Sequence, residues 1–500
     1  MTRRISILIL SLLPFLMSAA ELPMEMVPWS ATCYYGQGER MPLEPAVNSA
    51  LLGTPIRING MVYSRGIGSW IGGSMVYQLN GLAEKFQAMI GIDDSSSSDD
   101  KGQRQAAQML IIVDRQVVVD KEIHAGELLP VSLDLRKKHL LQIWFRGVRG
   151  APGGFIGIVK ASFSTGSPDA LMTQLKNAAA EYQKNISACP QYPPAPKWEK
   201  LRIEKIAWQE FSNAYRISNG KIELIVVPEF GGRIMAFSAY GKQNYLLRNL
   251  PYNRNHQLKQ ACSGDFAGGH FMRFLPVHSW LPLDVMLDHG PYSIDFPQEG
   301  KVIMRSLPST WFQLRYEYEI TVDPLKPECQ VIDRIVNTAP YPQTLSIWSI
   351  TRMPGDVMTH LILPPTDKNR PESFTNKEGL HQYYSTGKNF IFKYGAESSG
   401  EKDVSEICYF PLNNEINIQI HQKDRPALHI QYDSRYAFPD NDYFPLHFYI
   451  AKFSEVESHG AKKTLSPGES IKFPAVWSVP QDSTGPNPLR QQKQTSTGRF

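Results

Sequence analysis

The chain has 500 residues, 42% of them hydrophobic and 20% charged, a length and balance that suit a soluble protein of two or three domains. Its net charge is only +4, and the basic residues are scattered, so a nucleic-acid partner is not expected. The five cysteines (Cys33, Cys189, Cys262, Cys329 and Cys408) form no C-x-x-C pair, so a structural zinc site is not expected either.

Taken in chain order, residues 1–20 have the pattern of an export signal. Arg3 and Arg4 precede a short apolar core, Ile5 to Leu16, and Ser18-Ala19-Ala20 sets small residues before a cut ahead of Glu21. A secreted or periplasmic location follows, with no membrane insertion after cleavage, because no later apolar run reaches spanning length. An exported chain permits disulfides; Cys33 and Cys189 flank the first domain and could pair.

Residues 31–165 read as short strands. Phe86, Ala88, Ile90 and Ile92 alternate with Gln87, Met89 and Gly91, the period of a strand with one buried face. Met109–Val113 and Val117–Val119 flank Asp114-Arg115-Gln116, which predicts a tight hairpin. Val131–Leu135 and Leu140–Phe145 add two more strands. Residues 166–197 hold one helix and a linker: Ser167-Pro168-Asp169 starts the helix, and Leu171, Leu175, Ala178, Ala179 and Tyr182 follow at helical spacing to about Asn185. Cys189 to Pro196 is a stiff, proline-rich stretch. Residues 198–480 are again strand-like, with Ile222, Leu224 and Val226, and Phe312, Leu314, Tyr316 and Tyr318, in alternation. Residues 481–500 have the composition of a disordered tail.

Two resemblances sharpen this. Asn59-Gly60-Met61-Val62-Tyr63-Ser64-Arg65-Gly66-Ile67-Gly68, with Tyr77-Gln78-Leu79 and Phe86 to Asp94, resembles the NPCBM family of carbohydrate-binding modules, with Asn59 in place of a glycine and Trp70 in place of a common histidine. Asn219 to Ile234, with Pro228-Glu229-Phe230-Gly231-Gly232-Arg233 at its centre, resembles the opening hairpin of galactose mutarotase-like domains. Arg334–Thr338, Ser346–Thr351 and Leu465–Ser470 with Trp477-Ser478-Val479 resemble their later strands. The resemblances imply an all-β protein: a galactose-binding-like sandwich (jelly roll), one linking helix, and a large β-supersandwich.

They also imply a glycan partner and candidate residues. In the first domain Trp70 offers a ring to stack on a sugar, and Asp93 and Asp94 offer acceptors for its hydroxyls. The acidic loop Asp93 to Asp100 could hold Ca²⁺; a solvated loop is the alternative, and no other cofactor is expected. In the second domain Glu457 and Glu455 are the candidate base and His270 the candidate acid, since sugar epimerisation needs two groups of different pKa at one ring. Arg273 and Arg352 are candidate ligand-binding residues. The glutamates could instead be solvated charges on an edge strand, His270 taken alone a structural residue, and Arg352 a strand's exit to solvent. The function expected is glycan recognition by the first domain, with a second domain that binds or acts on sugars. Alternatives are a sugar-active enzyme (an epimerase, hydrolase or lyase) or a non-catalytic surface protein.

Overall fold

In the computed structural model the described residues are 19–34, 44–96, 105–148, 153–188, 190–247, 268–276, 285–354, 359–363, 372–375, 382–385, 390–394, 405–409, 411, 415–422, 425–437, 445–450 and 453–480. The expected export signal up to Ser18, the tail from Gln481, and Cys189 and Cys262 lie outside them, as does any Cys33–Cys189 bridge. The thiol of Cys329 is free and buried, and Cys408 is buried. The chain divides into two compact units that meet in sequence between Ala179 and Ala180.

The first unit is a sandwich of two antiparallel sheets. One contains Leu128–Asp134, Lys85–Ile92, Phe155–Thr165 and Gly66–Trp70 side by side; the other contains Gln116–His124, Ala106–Val113, Leu140–Gly147 and Gly73–Gln78. The alternation read from Phe86 to Ile92 is present: Phe86, Ala88, Ile90 and Ile92 join Met75, Tyr77, Met109, Ile111, Ile143 and Phe163 in one buried core. The hairpin at Asp114 turns in two residues, Asp114 and Arg115, both with positive φ (46° and 68°), the conformation whose twist matches antiparallel strands. The helix spans Pro168–Ile186, with Leu171 and Leu175 in the same core as the first unit's strands.

The second unit is built on two larger sheets, which among the described residues have eleven and ten strands. Leu314–Val322 shows why they are two-layered. Leu314, Tyr316, Tyr318, Ile320 and Val322 are buried, while Arg315, Glu317, Glu319 and Thr321 point away from the core. Across that outer face Lys301 pairs with Glu319 at 2.6 Å and Arg315 with Glu317 at 2.7 Å. In the eleven-stranded sheet five strands lie side by side: Arg233–Ala239, His270–Leu275, Gln343–Pro354, Phe453–His459 and Leu446–Ile450. A second helix, Val285–Asp288, was not foreseen. Residues 190–198 are irregular and tied to the second unit. The Tyr192 carbonyl accepts from Lys205 at 2.7 Å and that of Pro193 from Tyr215 at 2.5 Å. No helix among the described residues is long and apolar enough to cross a membrane.

Candidate functional site

Strand register decides which candidates meet. Phe271 pairs with Ile350, Ile350 with Glu457, and Glu457 with His447. One step along the same face, Arg273 pairs with Trp348 and Trp348 with His459. One step the other way, Arg352 pairs with Glu455 and Glu455 with Tyr449. Directly paired residues, and residues two apart on a strand, share a face. Arg273, Trp348, Arg352, Glu455, Glu457, His447 and Tyr449 are therefore brought together by alternation alone. The strand carrying both glutamates has a partner on each side, so neither lies on an edge.

Glu457 is the centre of this group. It is only 2% exposed. Its Oε2 accepts from Trp348 Nε1 at 2.9 Å and shares a proton with His447 Nδ1 at 2.7 Å. Burial pushes its carboxyl up to about 7; the His447 hydrogen bond pulls it down and the neighbouring Glu455 pushes it further up. Trp348, His447, Tyr449, Glu455 and Arg273 are half-buried, so the group opens toward solvent. Arg352 is not an exit to solvent: it is buried, and its Nε donates to Glu455 Oε1 at 2.6 Å.

The turn Gly231-Gly232 supplies a residue that the sequence reading did not choose. Both glycines have φ near +60°, and a Cβ on either would collide, at Gly231 with the Asp288 carbonyl and at Gly232 with the Tyr292 ring. Glycine there lets the segment after Val285–Asp288 close over the sheet. It also aims Arg233 across the site face, where its guanidinium lies 4.2 Å from the centre of the Phe271 ring and donates to the carbonyls of Gly268 and Asp288, both at 3.2 Å. Burial pulls Arg233 down to about 10, with Arg352 adding to the effect. Arg273 reaches Asp288 Oδ2 at 3.4 Å. His289, beside them, is buried and pulled down to about 3, chiefly by burial, so it is neutral.

His270 does not join this group, which corrects the expected Glu–His pair. It opens a strand rather than lying in a loop, and it is three residues from Arg273, so the two side chains take opposite faces. His270 is 1% exposed and faces the ten-stranded sheet. There Nε2 donates to Asp333 Oδ1 at 3.2 Å, Nδ1 lies 2.9 Å from the Thr351 hydroxyl, and the ring meets Trp477 edge-on at 5.0 Å. It ties two sheets together. Gly269, just before His270, carries φ +86° and is closely approached by the Ile234 carbonyl. The residues missed were Arg233, Trp348, Asp288 and His447. The signal for Trp348 and His447 was parity: each lies an even number of residues from Arg352 or Tyr449, already chosen or placed on the glutamate face.

The first unit's acidic candidates are placed differently. Asp93 accepts from the Arg57 amide at 3.0 Å, and its other oxygen takes the Ser95 amide at 2.9 Å and the Ser95 hydroxyl. Asp94 accepts from the amides of Asn59 at 3.0 Å and Gly60 at 2.8 Å, the turn of the Ile56–Ile58 and Met61–Tyr63 hairpin. Both carboxylates accept from backbone donors; Asp93 is buried and Asp94 is exposed. Trp70 is half-buried and tilts against Phe155, 5.1 Å between ring centres. Among the described residues no group of three His, Cys, Asp or Glu could hold a metal ion; residues 97–104 of the acidic loop lie outside them.

Residues 27–150 match the family model described as the NPCBM/NEW2 domain. Solved structures similar to the chain include CBM51 from Clostridium perfringens GH95 in complex with methyl-galactose. It is 19% identical, covering 29% of this chain and 99% of that one, with a TM-score of 0.25. A galactose mutarotase-like protein from Clostridium acetobutylicum is 11% identical over 55% of this chain and 97% of its own, with a TM-score of 0.35. Another, from Lactobacillus casei, is 10% identical over 53% and 99%, with a TM-score of 0.36. Both families named from the sequence are thus among the matches. No curated protein matches the chain.

Proposed function

We propose that the chain is an exported carbohydrate-binding protein whose first unit recognises glycans and whose second unit binds a sugar at Glu457 and acts on it by acid–base chemistry. The NPCBM/NEW2 match supports the first half. One observation carries the second: a buried carboxyl near neutral pKa, hydrogen-bonded to a half-exposed histidine, on a face that also offers the rings of Trp348 and Tyr449. A carboxyl poised near 7 can both take and return a proton at working pH, and His447 connects it to solvent. Aromatic rings suit the C–H faces of a pyranose while the carboxylates take its hydroxyls. The class of reaction this fits is proton transfer at a sugar carbon or anomeric hydroxyl, as in epimerisation.

The test is Glu457→Gln in the full chain, assayed for anomeric exchange by NMR and for binding by calorimetry. The substitution keeps size and hydrogen bonding but removes the exchangeable acid. Turnover should fall by about 10²–10⁴-fold, the scale of a lost general acid–base group, with affinity within a few fold. Unchanged turnover would remove the assignment. Turnover absent in both proteins, with weakened binding in the variant, would favour a site that only recognises sugar.

A further inference from the structure

We propose that the second unit carries another sugar site, separate from the Glu457 face: a groove on the outer face of the ten-stranded sheet that holds a neutral sugar by side-chain amides. Four neighbouring strands, Glu328–Asn337, Ser470–Ser478, Leu428–Tyr432 and Asn417–Gln422, set Gln330, Val476, Gln431 and Asn417 in one row. Gln330 pairs with Val476, Val476 with Gln431, and Gln431 with Asn417. Their chain neighbours Val331, Trp477, Ile430 and Ile418 are buried, so the row faces away from the core. Gln330, Gln431 and Asn417 are exposed and Val476 is half-buried. The sheet that carries Glu457 lies across that core, where His270 meets Asp333 and Trp477 between the two sheets. The Glu457 group is on the side of its sheet opposite His270, so the two faces cannot share one ligand.

The row lines a cavity of about 450 Å³, together with Glu415, Ser434 and Pro474. That volume falls within the range of small-ligand sites. Its lining selects the ligand's chemistry. A sugar hydroxyl both donates and accepts a hydrogen bond, and a primary amide answers it in either role. An anion is disfavoured: among the described residues no Lys, Arg or His lines the cavity, while Glu415 and Asp433 do. Asp433 takes Arg435 Nε at 2.9 Å and Nη2 at 2.6 Å, and the exposed Glu415 can accept from a hydroxyl. The ring of Tyr432 is buried against Phe473, 4.6 Å between centres, so contact with a sugar's C–H groups falls to Val476 and Pro474. Affinity should therefore be modest beside that of a site built on exposed rings. Three strand spacings separate Gln330 from Asn417, about 14 Å, the reach of a short oligosaccharide rather than of one ring. The amides neither take nor give a proton at working pH, so the groove recognises a sugar without changing it.

The test follows the Val476 methyl resonances of the full-length protein by NMR, assigned with Val476→Ile. Val476 lines the groove, so its methyls report occupancy there whatever the first unit or the Glu457 face binds. Maltose, cellobiose and lactose are titrated, with glycerol and calcium chloride as controls. At least one disaccharide should shift the Val476 methyls saturably, and neither control should. Gln431→Leu, at an exposed position, should weaken that binding by about threefold to tenfold, the scale of one lost hydrogen bond. The shift should persist in Glu457→Gln. No saturable shift with any of the three sugars overturns the inference. An equal shift with glycerol overturns it too, because the groove then distinguishes no sugar, and a shift with calcium chloride alone makes it an ion site. A shift lost in Glu457→Gln would be relayed from the other face, and one unchanged in a folded Gln431→Leu would mean that the amides do not hold the ligand. None of these outcomes bears on the assignment of Glu457, which its own turnover assay decides.

Discussion

The two units use their acidic residues in opposite ways. In the first, Asp93 and Asp94 spend their oxygens on backbone amides of the hairpin from Ile56 to Tyr63 and of Ser95. In the second, Glu457 and Glu455 are held by side chains, Trp348, His447 and Arg352, on a face half-open to solvent. A carboxylate tied to backbone amides fixes a turn. One held by an indole and an imidazole, with burial working against ionisation, is poised to change its charge. The same contrast separates His270 from His447 within the second unit: one links two sheets, the other faces the carboxyl and solvent.

The largest effect expected from this contrast lies at His270. Replacing it with Ala strands the buried Asp333 carboxylate and should cost about 3–5 kcal/mol of the second unit's stability, read from urea unfolding. Loss of sugar turnover with stability unchanged would break the contrast, placing His270 in the chemistry after all. Next, Asp93→Ala should destabilise the first unit by about 1.5–3 kcal/mol, because charged hydrogen bonds to Arg57 and Ser95 are lost, with glycan affinity little changed. A selective loss of affinity would make Asp93 a ligand contact.

The pH dependence of stability sharpens the comparison further. The folded pKa of Glu457 is raised to about 7 from a usual value of 4.5. Its stabilising contribution is therefore fully present below about pH 4.5 and lost as pH rises to about 7, by about 1–3 kcal/mol. Glu457→Gln should flatten that slope, measured as unfolding midpoints from pH 4 to 8. An identical slope in both proteins would mean that the carboxyl is not perturbed. The smallest effect is at Trp70: part of its ring is already spent on Phe155, so Trp70→Ala should weaken glycan binding by only about 1 kcal/mol in calorimetry. No change would mark the ring as packing alone.

The sequence made some of this legible and hid the rest for identifiable reasons. Two-residue alternation revealed the strands from Phe86 to Ile92 and from Leu314 to Tyr318, because burial on one face leaves that period behind. The same alternation puts Glu455 and Glu457 on one face, and the hairpin brings Tyr449 to it by pairing with Glu455. The error at His270 was one of parity. His270 and Arg273 were chosen for one pocket, though three residues apart on a strand they must diverge. Arg233 lay in plain view after Gly231-Gly232, but its role depends on Asp288, a contact 55 residues away that no local pattern records. The backbone contacts of Asp93 and Asp94 were hidden for a related reason: their partners at Arg57, Asn59 and Gly60 are distant in sequence and leave no side-chain signature.

The central claim is that Glu457 is a buried carboxyl titrating near neutrality against His447. Infrared difference spectroscopy over pH, with the Glu457→Gln spectrum subtracted, follows the protonated carboxyl band directly. The band should disappear with a midpoint near pH 7, and in His447→Gln the midpoint should rise, because the histidine hydrogen bond is what pulls it down. A midpoint near 4.5 that His447→Gln leaves in place would contradict the claim.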